Sequence, residues 1–474
     1  MKRRIMTNTV SLFDAMTNAT STTNGMPAFK STNSPVLDLF TKIGDSRGVD
    51  MTTYFVKALA ENEEIAVRTL LWSRDVRGGA GERETFRKQL LTLAGTDFAH
   101  MEKVIDLIPE VGRWDDLLVL LGTKYESYAI EKIGKALTAS NGLAAKWMPR
   151  QGPVATVLRT KLGMSPKQWR KTLVTLTRVV ETQMCSREWG AIEYPKVPSK
   201  AIGKYAKAFG RNDGERFTAF KQKVETGEAK INAGAVYPYD VVHLLKSDSR
   251  LAEVQWKALP DYVKGSDEKI ISVVDVSGSM DAGINSGGYG GVSCMDVAIS
   301  LGIYTSERLE GTFKDTIITF TDSPKIMKFK AGASLYERFS QSKTDVGYST
   351  NLEGVFDAVL NAAKTNKVPE DQMPTKILII SDTQFNSQVR GPGLSAIPMI
   401  EQKYERAGYK MPGLVFWNVG AAKYGNSPMT VADHGAVMVS GCSPSILTSI
   451  LSGKDNSIDL MLDAVGKERY NYLK

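Results

Sequence analysis

The chain reads as an α-helical first half followed by a doubly wound α/β second half. Three observations carry that reading. Apolar residues recur at helical spacing from about residue 36 to 255. From about 266, short β-branched runs alternate with helical ones, the pattern of a parallel sheet covered on both faces. Those runs, such as KIISVVDV (269–276) and KILIISD (376–382), are nearly all apolar, as strands buried on both sides should be.

A length of 474 residues suits two to four domains. The expected division is a flexible, extended N-terminal arm over 1–35, a helical domain over 36–265 and an α/β domain over 266–474. KGSDEK (264–269) marks the boundary. No apolar run reaches the ~20 residues of a membrane helix. The opening MKRRIMTNTVSLFDAM lacks an apolar signal segment. A cytoplasmic protein without a membrane partner is expected. Three scattered cysteines and three scattered histidines argue against a disulfide framework and a zinc site.

The net charge of +8 is unevenly placed. Residues 146–223 hold 17 Lys and Arg against 5 Asp and Glu, while residues 251–474 hold 22 against 25. A clustered excess of this kind points to a polyanionic partner.

Within the helical half, Phe86, Leu90 and Leu93 recur at i, i+4 and i+7. RDVRGGAGERETFR (74–87) is not a phosphate-binding Walker loop, because no Lys-Ser/Thr follows its glycines. It reads as a tight inter-helix turn in which Glu82 opens the next helix, with Arg77 and Arg83 left to present charge. GRWDDLL (112–118) reads as a helix start whose Asp115 and Asp116 complement the dipole. Ser165-Pro166 reads as an N-cap followed by proline at the first helical position.

Two helices carry the charge. Over 166–183, Trp169, Leu173, Leu176 and Val180 share one face, and Lys167, Arg170, Lys171 and Arg178 the opposite one. In PSKAIGKYAKAFGR (198–211), Ile202, Tyr205 and Phe209 form the apolar side. Lys200, Lys204, Lys207 and Arg211 form a cationic stripe, with Gly210 ending the helix before Arg211. These polar faces lack matching acids, so they are not i, i+4 ion-pair ladders. Spaced cations suit backbone phosphates, which give affinity without sequence specificity. A solvated surface that only confers solubility is the alternative. The aromatic residues on the inner side read as core.

In the second half, helices are expected over 292–308, 352–364 and 394–407. Strands are expected at DTIITF (315–320), GLVFWNV (413–419) and GAVMVSG (435–441), before a C-terminal helix. The first strand runs into Asp275, Ser277 and Ser279. Their spacing of two sets three oxygen-bearing side chains along one side of an extended loop. Such hard ligands suit Mg²⁺ or Mn²⁺. Asp382 ends another strand, and Thr350 lies in a loop just before a helix. A polar turn with capping serines is the alternative for the first motif. Asp322 reads as part of a hairpin turn rather than as a ligand.

This constellation, Asp-x-Ser-x-Ser followed by Thr and then Asp, resembles the metal-ion-dependent adhesion site of the von Willebrand factor A domain. The resemblance covers roughly 266–474, with Ser349-Thr350 where that family usually has Gly-Thr. It implies direct ligation by Ser277 and Ser279. Thr350 would ligate directly or through water, and Asp275 and Asp382 mostly through water. RDVRGGAGER, GRWDDLL, AAKWMPR and VPSKAIGKYAKAFGRND together resemble a poorly characterised family of viral, bacterial and plant proteins. That family is similar to the TROVE-module proteins, the Ro ribonucleoprotein autoantigen and its bacterial orthologues. The resemblance implies a ring of irregular HEAT-like helical repeats closed by the A domain. It also implies structured RNA on an outer basic surface and single-stranded RNA ends in a central hole.

The expected function is therefore non-enzymatic RNA binding, with Lys167, Arg170, Lys171, Lys200, Lys204, Lys207 and Arg211 on phosphates. The alternative is a metal-dependent protein-interaction module without nucleic acid, in which a partner's acidic side chain completes the metal's coordination. Catalysis is not expected: no His general base, nucleophile–base pair or second metal cluster stands out.

Overall fold

A computed structural model of the chain describes residues 18–21, 27–44, 46, 49–281, 292–320, 324–343, 352–382, 396–420, 427 and 435–474. Helices follow one another from Pro35–Ile43 to Ser249–Lys257. Their starts are set by side-chain caps. Ser34, Asn62, Asn141, Ser165 and Asp248 each accept a hydrogen bond from an amide of their own first turn, a contact worth about 1 kcal/mol. Phe86, Leu90 and Leu93 point into the core from the helix Glu84–Ala94.

Two helix expectations need correction. The helix expected over 166–183 is two helices, Pro166–Leu176 and Val180–Cys185, joined by an extended link at Thr177 and Val179. Val174, Thr175, Thr177, Val179, Val180 and Thr182 are β-branched, and such residues lose side-chain freedom in a helix. The break sends Trp169 and Leu173 into one core cluster and Val180 into another. The next helix, Ser199–Asn212, runs through Gly210 and ends beyond Arg211.

The second half contains a six-stranded sheet. After the short strands β1 (Ala19–Ser21) and β2 (Pro27–Phe29) of the N-terminal arm come β3 (Ile270–Asp275), β4 (Thr316–Phe320) and β5 (Lys325–Lys328). β6 (Lys376–Ser381), β7 (Gly413–Asn418) and β8 (Ala436–Ser440) follow. The strand order is β5-β4-β3-β6-β7-β8, and every neighbouring pair is parallel except β4 with β5. β5 and the helix Leu335–Ser342 were not expected. KIMK is a largely exposed edge strand with no apolar run to signal it. Asp322 falls outside the described residues; the strands before and after it, β4 and β5, pair antiparallel.

Side chains alternate across the sheet with the period of two that a pleat imposes. Ile271, Val273, Ile377, Ile379 and Phe416 face the helices Leu352–Asn366 and Ala396–Arg406. Val274, Leu378, Ile380, Val415 and Val439 face the other way, into a cluster that continues through the first half to Val36. The helix Pro35–Ile43 lies against β8, and Pro238–Leu244 against Cys294–Arg308. The two halves thus share one core, although the first half's last helix ends at Lys257 and β3 begins at Ile270.

Both ends of the described chain are stitched across this junction. Among the described residues of the N-terminal arm, β1 pairs with β2, and Phe29 exchanges two 2.8 Å backbone hydrogen bonds with Ser427. At the other end, the Arg469 guanidinium meets the buried Asp75 at 2.5 Å. The Tyr470 hydroxyl donates to the same carboxylate at 3.0 Å. Lys103 donates to the Leu473 carbonyl at 3.0 Å.

Candidate metal centre and nucleic-acid interface

Asp275 stands at the end of β3 because the apolar run before it is buried on both faces. Val274 lies opposite Ile380 in the register of β3 and β6, so Ser381 and Asp382 come alongside Asp275. One Asp275 oxygen accepts from the Ser277 amide at 2.9 Å, and the other from the Ser381 hydroxyl at 2.5 Å. Burial pushes the Asp275 carboxyl up to about 6; the Ser381 hydrogen bond opposes this and the negative charge of Asp382 adds to it. The hydroxyls of Ser277 and Ser279 lie 3.2 Å apart. Asp382 is 7 % exposed, and Gly420 packs against it so closely that a Cβ there would sit 2.6 Å from the Asp382 Cβ.

Of the five residues expected at this centre, Asp275, Ser277, Ser279 and Asp382 thus gather at the ends of two adjacent strands. Thr350 lies outside the described residues. Ser381 was missed in the sequence, although a hydroxyl directly before Asp382 was visible there. Among the described residues, no three His, Cys, Asp or Glu side chains gather in a metal-binding group. The donor set is instead two hydroxyls and two carboxylates, all hard oxygens, with a buried carboxylate held beside a second negative charge. That chemistry fits a hard divalent cation.

On the basic side, Lys167, Arg170, Lys171, Lys200, Lys204, Lys207 and Arg211 are all exposed. Among the described residues no acid of the same helix pairs with any of them, but one acid arrives from elsewhere. Lys200 pairs with Asp240 at 2.8 Å, from a helix 40 residues further along the sequence. The other six form no ion pair among the described residues. Tyr205 is half-buried and donates to Glu181 at 3.1 Å, while Trp169 and Phe209 are core. Between the two helices opens a cleft of about 690 Å³, lined among others by Lys146, Val174, Arg178, Lys196 and Ala201.

The glycine-rich stretch is a tight turn, as expected. A Cβ at Gly79 would sit 1.8 Å from the Trp72 carbonyl oxygen, so the turn closes only around glycine. Glu82 does not open the next helix, which begins at Glu84. Glu82 is buried, and its amide donates to the Ser73 carbonyl. Asp115 and Asp116 lie in the first turn of a 3₁₀ segment, Trp114–Leu120, and do more than complement a dipole. Asp116 is fully buried and binds both Arg74 at 2.8 Å and Arg87 at 2.7 Å, and Arg87 also reaches Asp115 at 2.7 Å.

Against solved structures, the chain aligns with the Deinococcus radiodurans Ro (RSR) protein over 89 % of its own length and 100 % of that chain. The TM-score is 0.50 and the identity 12 %. The fold is Ro-like. Residues 269–470 match one family model, a domain of unknown function (DUF7788). Residues 22–97 and 127–269 match another (DUF2828). The chain is also 29 % identical to uncharacterized protein L728 of Acanthamoeba polyphaga mimivirus, over 94 % of this chain and 87 % of that protein. Among the described residues, no helix of the Ro-like fold is long and apolar enough to cross a membrane.

Proposed function

We propose that this is a non-enzymatic RNA-binding protein of the Ro type, taking the phosphate backbone on its cationic helical surface. The observation that carries the reading is the set of six exposed cations, Lys167, Arg170, Lys171, Lys204, Lys207 and Arg211, without carboxylate partners on a Ro-like scaffold. At 1.5 Å rise per residue, Lys204, Lys207 and Arg211 span about 10 Å of helix axis. That run suits a few successive phosphates. Six phosphate contacts to a single strand predict that log K falls with log salt at a slope of about −4. Filter binding of mixed-sequence RNA across a salt series tests this, and affinity indifferent to salt would refute it.

The second half is proposed to be a von Willebrand factor A domain holding Mg²⁺ or Mn²⁺. Ser277 and Ser279 would hold the ion directly, with Asp275 and Asp382 behind them and Thr350 as a further ligand. The groups that would touch the ion directly are neutral hydroxyls, with both carboxylates set behind them, so its inner shell would carry no negative charge and could take an anionic group. Asp275, fixed by Ser381 and the Ser277 amide, orients the loop that carries both serines. The irregular helices of the first half are proposed to be HEAT-like repeats.

A further inference from the structure

Three stretches that stand apart in the sequence, RDVRGGAGER, GRWDDLL and AAKWMPR, meet in the first half; none of their residues belongs to the stripe on Ser199–Asn212, although Lys146 also lines the cleft beside it. The Arg74–Asp116 and Arg87–Asp115/Asp116 pairs lock the first two stretches together. Both acids are thereby engaged. Arg113 is left over. Its guanidinium lies 4.2 Å from the ring centroid of Trp147, and the Lys146 ammonium lies 5.4 Å from the same ring. Arg113 is half-buried, yet its guanidinium donates no hydrogen bond and forms no ion pair among the described residues. Its nitrogens are not among the side-chain atoms shut off from solvent without a partner. A rigid fork of N–H donors, backed by an indole, therefore faces a region that a ligand can enter.

The local field reinforces this. Burial lowers the Arg113 pKa, and the positive charges of Arg74 and Arg83 lower it further against the pull of Asp115 and Asp116. Arg83 is 45 % exposed, and its partner Glu84 more so, so that pair is well solvated and holds Arg83 only weakly. A half-buried cation among like charges gains most from a multiply charged oxyanion that fills its fork.

We propose that Arg113, backed by Trp147 and flanked by Arg83 and Lys146, binds a phosphate group at a site separate from the cationic stripe. The inference does not rest on the RNA reading, because the phosphate can belong to a free nucleotide or to a nucleic-acid backbone.

The test is titration calorimetry of the full chain at fixed ionic strength with inorganic phosphate, adenosine monophosphate and a short 5′-hydroxyl oligoribonucleotide. Arg113→Met keeps the packing on Trp147 and removes the fork, and it should weaken binding about tenfold or more. Arg83→Gln, at an exposed position, should weaken it severalfold and serves if the first variant folds poorly. Loss with phosphate and the mononucleotide assigns the site to free phosphate compounds. Loss confined to the oligoribonucleotide assigns it to a backbone. Charge reversal at Lys204, Lys207 and Arg211 should leave phosphate and mononucleotide binding unchanged, which separates this site from the stripe. A wild-type chain that binds none of the three ligands would overturn the proposal. So would Arg113→Met and Arg83→Gln variants that bind them as the wild type does.

Discussion

Replacing Asp75 with alanine should loosen the clasp between the C-terminal segment and the helical half. Asp75 is fully buried and takes Arg469 on one side and the Tyr470 hydroxyl on the other. Tyr470 is also fully buried, so its hydroxyl would lose its acceptor with no water to replace it, at a cost of about 1–3 kcal/mol. The Arg469 side chain is 40 % exposed and finds solvent, so its share is at most about 1 kcal/mol. A total near 3 kcal/mol follows. Unfolding entropy of about 2.1 cal/mol/K per residue over a chain of this length makes that a fall in Tm of about 3 °C. Tyr470→Phe removes the hydroxyl and leaves the ion pair, so it should cost about a third as much. Differential scanning calorimetry reads both, and hydrogen exchange locates the change at residues 468–473. An Asp75→Ala protein that melts with the wild type, with unchanged exchange there, would refute the reasoning.

Asp116→Ala leaves Arg74 buried and uncompensated, and should cost about 3–5 kcal/mol in denaturant unfolding; a loss below about 1 kcal/mol would show that Arg74 finds another partner. Mg²⁺ at a hundredfold excess over its Kd should stabilise the wild type by about 2.7 kcal/mol. Asp275→Asn should abolish that gain, and an equal gain in the variant would remove Asp275 from the metal centre. Lys204→Glu should weaken RNA binding more than Lys200→Ala does, because Lys200 already spends its charge on Asp240; the reverse order in filter binding would contradict the assignment of the free cations.

Strand positions were legible because burial on both faces leaves an unbroken apolar run, as in IISVVD and KILIIS. β5 was hidden because an exposed edge strand needs no such run. At the candidate metal centre, Asp275, Ser277, Ser279 and Asp382 were readable from strand ends alone, since parallel neighbours bring those ends together. The supporting contacts of Ser381 and Gly420 depend on register and close approach, which a single sequence does not display. The Lys200–Asp240 pair escaped for the same reason: its acid comes from another helix. The glycine-rich turn was legible as a turn, but its use as a socket for Arg469 and Tyr470 links residues nearly 400 positions apart.

The helix Pro35–Ile43 buries Leu37, Leu39, Phe40 and Ile43 in a core shared with β8. During synthesis it leaves the ribosome about 390 residues before that strand. At 5–20 residues per second, the wait is roughly 20–80 s. Over that interval the helices Thr52–Glu61 and Glu63–Arg74 can already pack on it, but the part of its apolar side that β8 covers has no permanent partner, so nascent chains invite holdase chaperones and, at high expression, exchange of this helix between neighbouring copies. Chains arrested before residue 436 should be cut by protease within 35–43, and full-length chains should not.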